Sequence, residues 1–192
     1  MPKYDKGVKM KVLGISCSPR KNGNTDALVL AALEKAKEEG AEVEFIALAG
    51  KTIKPCDGCY ACRTTGQCHI KDDMQPLYDQ MAEADGLVFG SPVYFWSVTA
   101  QAKALIDRTF AYSPQRNLKN KPVGAVVSQG RDGSSGALQI FYSFFMGHRM
   151  IIVGNAVGFG NEKGAVKKDE QTMARAGSVG KAVVRFLKTG KI

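Results

Sequence analysis

Residues 9–40 read KMKVLGISCSPRKNGNTDALVLAALEKAKEEG. The first seven, KMKVLGI, predict a short apolar strand. A polar loop follows from Ser16 to Thr25. Residues 26–40 then carry Leu28, Ala31, Ala32 and Ala36 at helical spacing, with Leu30 and Leu33 widening the stripe. Asn24 or Thr25 can cap this helix, and Gly40 can end it.

A strand, a polar loop and a helix start together make an anion site. The loop offers backbone N–H groups and hydroxyls, the helix adds the positive end of its dipole, and Arg20 and Lys21 add full charge. The Gly-Lys-Ser/Thr ending of a Walker A loop is missing, and so is the G-x-G-x-x-G dinucleotide fingerprint. A loop of Ser, Thr and Asn suits a terminal phosphate monoester such as that of FMN. An ordinary polar loop is the alternative.

The rest of the chain repeats the alternation. Strands are predicted at 42–48, at Leu87 to Phe89 ending on Gly90, at 123–128 and at 150–157. Helices are predicted over 72–85, 100–110, 137–147 and 169–188. Asp72 and Gln75 resemble a capping box, and Thr99 can cap the third helix. Lys103 and Asp107 are an i,i+4 surface pair. Gly158, Phe159 and Gly160 read as a loop. Five strands alternating with five helices predict a doubly wound parallel sheet in one domain, residues 1–192, and ligand loops after strands one, three and four favour the flavodoxin-like order 2-1-3-4-5, with ligands beyond the carboxyl ends of the strands.

Two further stretches face that edge. Ser91-Pro92-Val93-Tyr94-Phe95-Trp96-Ser97-Val98 puts a Pro and three aromatics at a strand end, a flat apolar wall suited to a planar isoalloxazine ring. Core packing or a subunit contact is its other reading. The loop Gln129 to Gly136 contains three glycines that permit close backbone approach.

The segment of about residues 51–72 holds Cys56, Cys59, Cys62 and Cys68, four of the five cysteines, spaced C-x2-C-x2-C-x5-C. Thiols this close make poor disulfide partners, and nothing points to an oxidising compartment. A compact C-x2-C-x2-C run wraps three corners of an iron–sulfur cube, and a fourth cysteine closes it. Zinc, whose ligands more often come as two separated pairs, and thiols that bind no metal remain alternatives. Cys17 reads as a buried filler, and His69 and His148 as incidental.

The formal net charge of +9 favours anionic partners, yet the basic residues are spread out and no aromatic-interleaved basic block supports nucleic acid binding. No apolar run reaches the ~20 residues of a membrane span. The N-terminal run leads into a polar loop, unlike a leader peptide. A cytoplasmic protein is expected.

ISCSPRKNGNT, CDGCYACRTTGQC, DDM, SPVYFWSVTAQAKALIDR and SQGRDGSSGA resemble, in order, the motifs of iron–sulfur flavoproteins, within the wider NAD(P)H-dependent FMN reductase group. The resemblance implies FMN, a [4Fe-4S] cluster, a homodimer or homotetramer, and electrons taken from a ferredoxin-type donor. It implies cluster ligation by Cys56, Cys59, Cys62 and Cys68. Ser16, Ser18, Arg20, Asn22, Asn24 and Thr25 would hold the FMN phosphate. Pro92, Val93, Tyr94, Phe95 and Trp96 would line the ring, and Ser128, Gln129 and Gly130 its other side. Cys17 and Trp96 stand where the family has small residues, and GRDGSSGAL departs from its usual double glycine. The cofactors carry the chemistry, so no catalytic acid or base is expected. The acceptor would be a quinone, O2 or peroxide. A cluster-free NAD(P)H-dependent FMN or quinone reductase is the second reading. A zinc-stabilised or thiol redox-sensing binding module is the third.

Overall fold

The computed structural model describes residues 9–112 and 114–192. The N-terminal run read above as no leader begins in residues 1–8, outside the described residues. The strands are β1 (Lys11–Ser16), β2 (Glu42–Ala47), β3 (Gly86–Pro92), β4 (Pro122–Gln129) and β5 (Ile151–Phe159). The helices are α1 (Asn24–Glu38), α2 (Ala61–Thr65), α3 (Met74–Glu83), α4 (Ala100–Arg108), α5 (Ser134–Gly147) and α6 (Glu170–Thr189). All strand pairs are parallel, as the alternation predicts, and the order is β2-β1-β3-β4-β5, the one the ligand loops favoured.

Strand side chains alternate between two buried layers. Leu13, Ile15, Leu87, Phe89, Val123, Ala125 and Val127 pack with residues of α3, α4 and α5. Val12, Val88 and Val126 pack with α1 and α6. The second layer is thin. A Cβ on Gly90 would stand 2.5 Å from Val29 of α1, and one on Gly180 of α6 would stand 1.8 Å from the Ala32 backbone oxygen. The close approach of α1 to α6 therefore depends on the missing side chain at 180.

Several local expectations are corrected. Leu30 is 47% exposed, because two residues on from Leu28 is about 200° round the helix. Gly23, not Asn24 or Thr25, precedes the first turn of α1, and the side chains of those two residues bond elsewhere. The Asp72–Gln75 capping box does not form: α3 begins at Met74, and the Gln75 amide donates to the Ile70 carbonyl. Strands β3 and β5 run on to Pro92 and Phe159, since Gly158 and Phe159 pair with Ser128 and Gln129 of β4. Helix α5 starts at Ser134, whose N–H donates to the Gln129 side chain at 2.9 Å. Thr99 caps α4 and Lys103 pairs with Asp107, as expected.

One tie carries no local signal in the sequence. Arg108, the last residue of α4, has a fully buried side chain. Its two terminal nitrogens donate to both oxygens of Asp72, at 2.7 and 3.1 Å, and to the carbonyls of Lys54 and Ile70, at 2.9 and 3.1 Å. Asp72 also accepts from the Lys54 N–H at 2.8 Å. Arg108 thus closes both ends of the cysteine segment against the domain. Burial works to raise the Asp72 carboxyl, but bonds from Arg108, Lys54 and Met74 prevail and hold it below the usual carboxylate range.

Replacing Gly180 by Ala should cost about 1–3 kcal/mol by overpacking. Gly147→Ala, where a Cβ meets nothing within 4 Å, should cost far less; urea unfolding of both checks this. Asp72→Asn should cost about 3–5 kcal/mol, because the Arg108 charge is left buried and uncompensated. In the native chain the stabilisation from Asp72 is present above its ordinary pKa of about 3.9 and is lost as pH falls toward its lower folded value. The variant should lack that part of the acid limb in a stability–pH series.

Candidate functional site

The carboxyl ends of β1, β3, β4 and β5 enclose a cleft of about 200 Å³. The first intrahelical bond of α1 runs from Ala27 N to the Gly23 carbonyl, so the N–H groups of Asn24, Thr25 and Asp26 have no acceptor within the helix. Ser18, Arg20, Asn24 and Thr25 line the cleft, with Pro92, Val93, Tyr94, Ser128, Gln129 and Gly130 around them. Ser16 and Asn22 shape the loop from behind. The buried Asp26 carboxylate accepts from the Ser16 hydroxyl at 2.5 Å and from the Asn22 N–H at 2.6 Å. Thr25 and Ser128 share a hydroxyl–hydroxyl bond of 2.7 Å, joining the β1 and β4 sides.

The aromatic stretch divides. Val93 N donates to the Ser128 carbonyl at 2.8 Å, and Tyr94 and Ser97 exchange backbone bonds across a tight turn. Phe95 and Trp96 form the tip with φ of 45° and 61°, left-handed conformations that cost about 1–2 kcal/mol each for such residues. A Cβ on Gly136 would stand 2.0 Å from the Trp96 carbonyl, so packing against α5 holds the turn. Phe95 is 94% exposed and neither it nor Trp96 lines the cleft.

Gly160, Asn161 and Lys163, from the segment after β5, also line the cleft. They carry no motif, and only the place of β5 beside β4 in a parallel sheet signals them. Cys17 is buried under the loop, and burial pushes its thiol up to about 12, as suits a filler.

A second cleft, of about 740 Å³, is lined by Cys56, Cys59, Cys62 and Cys68 on one side. Residues Ile106 to Tyr112, Phe144 and His148 form the other side. All four thiols are free. The segment is not a plain loop: Cys62 lies on the short α2, and Gly58, Tyr60 and Gly66 take left-handed φ of 71°, 58° and 71°. The Arg63 guanidinium lies 4.5 Å from the Tyr60 ring, which meets Phe110 edge-on at 5.9 Å. Both histidines, read as incidental, take part here. His69 bonds Asp57 at 2.7 Å, and with Cys59 these groups converge within 4.8 Å. His148 bonds Thr109 at 2.9 Å, and burial pushes its imidazole below the ordinary value.

Burial raises the Cys62 thiol against a lowering backbone hydrogen bond, and the nearby Cys68, Cys59 and Cys56 add to the rise. Among the described residues, no three cysteine sulfurs gather within 4.8 Å. A single tetrahedral zinc, with Zn–S of ~2.3 Å, would require sulfurs ~3.8 Å apart. A four-iron cluster spaces its thiolates more widely, and this all-thiol donor set suits it.

The model of the NADPH-dependent FMN reductase family matches residues 10–164. An iron–sulfur flavoprotein of Methanocaldococcus jannaschii is 43% identical over 189 residues, covering 93% of this chain and 98% of its own. Another, from Methanosarcina thermophila, is 41% identical over 155 residues, covering 79% and 81%. Among solved structures, a flavone reductase superposes with a TM-score of 0.76 at 26% identity, over 94% of this chain and 64% of that one. An archaeal flavodoxin shares the fold, with a TM-score of 0.59 at 17% identity over 91% and 99%. With the anion loop at the first βα turn and the apolar wall beside it, the chain belongs to the NADPH-dependent FMN reductase family and is an FMN-dependent oxidoreductase of flavodoxin-like fold.

Proposed function

We propose that this flavoprotein couples a one-electron donor to a two-electron acceptor through FMN and a [4Fe-4S] cluster. The observation that carries it is the gathering of four free, motif-spaced thiols along one cleft. The names of the relatives support the cluster. When bound, FMN stores two electrons and a four-iron cluster passes them singly.

The chain's own residues bind and orient. Arg20, Ser18 and the start of α1 hold the phosphate monoester. Pro92, Val93 and Tyr94 face the ring, and Ser128, Gln129 and Gly130 approach it from β4. Cys56, Cys59, Cys62 and Cys68 hold iron, and Arg108 fixes their segment. The net charge of +9 favours an acidic, ferredoxin-type donor, an attraction that salt should weaken. Acceptors of the required class are quinones, O2 and peroxide. A neighbouring subunit of a homodimer or homotetramer would complete the route between the two clefts, which have separate linings. The exposed Tyr94-Phe95-Trp96 turn offers one contact surface. No described helix is long and apolar enough to cross a membrane.

A second reading, direct reduction of FMN by NAD(P)H without iron, is favoured by the description of the family. The double variant Cys59→Ala/Cys62→Ala separates the two. It should retain FMN, lose iron and lose electron uptake from a reduced ferredoxin; unchanged uptake in a protein shown to lack iron would contradict the proposal.

A further inference from the structure

Asn24 opens α1 at the anion cleft, yet its amide is taken up by the segment after β5. Its nitrogen donates to the carbonyls of Gly160 and Glu162, at 2.8 and 2.9 Å, and its oxygen accepts from Val166 N at 3.2 Å. Three hydrogen bonds from one side chain thus go to a single segment about 140 residues along the chain. The same segment is tied to β4: Gly160 N donates to the Gln129 carbonyl at 2.9 Å. The Asn161 amide lies over Gly130, where a Cβ would stand 2.1 Å from its oxygen. Val166, fully buried, anchors the far end.

We propose that Lys163 is a phosphate-binding residue of the flavin cleft and that Asn24 is the positioning residue that holds it there. The proposal rests on the reading that this cleft takes the FMN phosphate. Lys163 and Arg20 are the cations lining the cleft. Neither is paired with a carboxylate among the described residues. A phosphate monoester carries about −1.5 to −2 charges at neutral pH, which two cations and a helix start balance better than one. The lysine side chain is mobile on its own; the Asn24 clamp fixes its backbone, which lowers the entropy lost when the ammonium meets the ligand.

The test is titration of the flavin-stripped protein with FMN and with riboflavin, which lacks the phosphate, at low and moderate salt. Lys163→Ala should weaken FMN about tenfold, leave riboflavin within about twofold, and flatten the salt dependence of FMN binding. Lys163→Arg should restore most of the loss. Asn24→Ala should reproduce the FMN-selective loss, and the double variant should lose less than the two single effects combined. Arg20→Ala isolates the underlying reading. If it abolishes the preference for FMN while Lys163→Ala binds both flavins normally, the phosphate is in the cleft and the role of Lys163 is refuted. If neither variant alters the preference, the phosphate reading fails with it. Equal weakening of both flavins by Asn24→Ala refutes the clamp's role in phosphate binding.

Discussion

A guanidinium buried at the end of α4 holds the cysteine segment in place. Without Arg108, the chain from Thr52 to Asp73 would be a long excursion from the edge strand β2, with few apolar anchors. With it, Lys54, Ile70 and Asp72 converge on one planar fork, and the Thr52 N–H reaches Asp73 at 2.6 Å alongside. A bidentate buried pair has little net stabilising effect in itself, because desolvating both charges offsets most of their attraction. Its value here is geometric. It fixes where the four thiols start and stop, and α4 is itself fixed by the Thr99 cap, whose hydroxyl also donates to the Cys17 carbonyl at 2.8 Å. The flavin loop and the cysteine segment are therefore referenced to the same helix from its two ends.

That arrangement follows from the parallel sheet. Every loop after a strand emerges on one edge, so residues far apart in sequence meet without any local signal. The Asp26 carboxylate shapes the β1 loop from inside, Asn24 reaches across to the β5 side, and Thr25 reaches Ser128 of β4. Asn24 and Thr25 belong to the apparent anion motif, yet they, like Asp26 beside them, use their side chains to hold neighbouring segments. What remains for a ligand is largely backbone N–H, hydroxyl and two cations, a combination suited to a phosphate.

The fold was legible because alternation of apolar segments is a strong signal, handedness rules prune the strand orders, and polar ligand loops after strands one, three and four favour 2-1-3-4-5. The cysteine segment was legible from spacing alone, since the type and interval of its ligands are local facts. What was not legible depended on long-range partners. Arg108 looks like one more charge beside Lys103 and Asp107, and only the fold shows it buried with Asp72. Asn24 looks like a cap or an anion ligand, and only the return of β5 reveals its partners. Phe95 and Trp96 look like a ring wall, but left-handed backbone at the tip turns them out of the cleft, leaving Pro92, Val93 and Tyr94 to line it.

What the protein contains when isolated without oxygen tests the cofactor assignment most directly. Absorption spectra with iron, sulfide and flavin assays decide it. A protein holding both cofactors gives flavin bands above a broad iron–sulfur shoulder, with about four irons and four sulfides per chain. Flavin without iron or sulfide, in protein never exposed to air, would contradict that assignment.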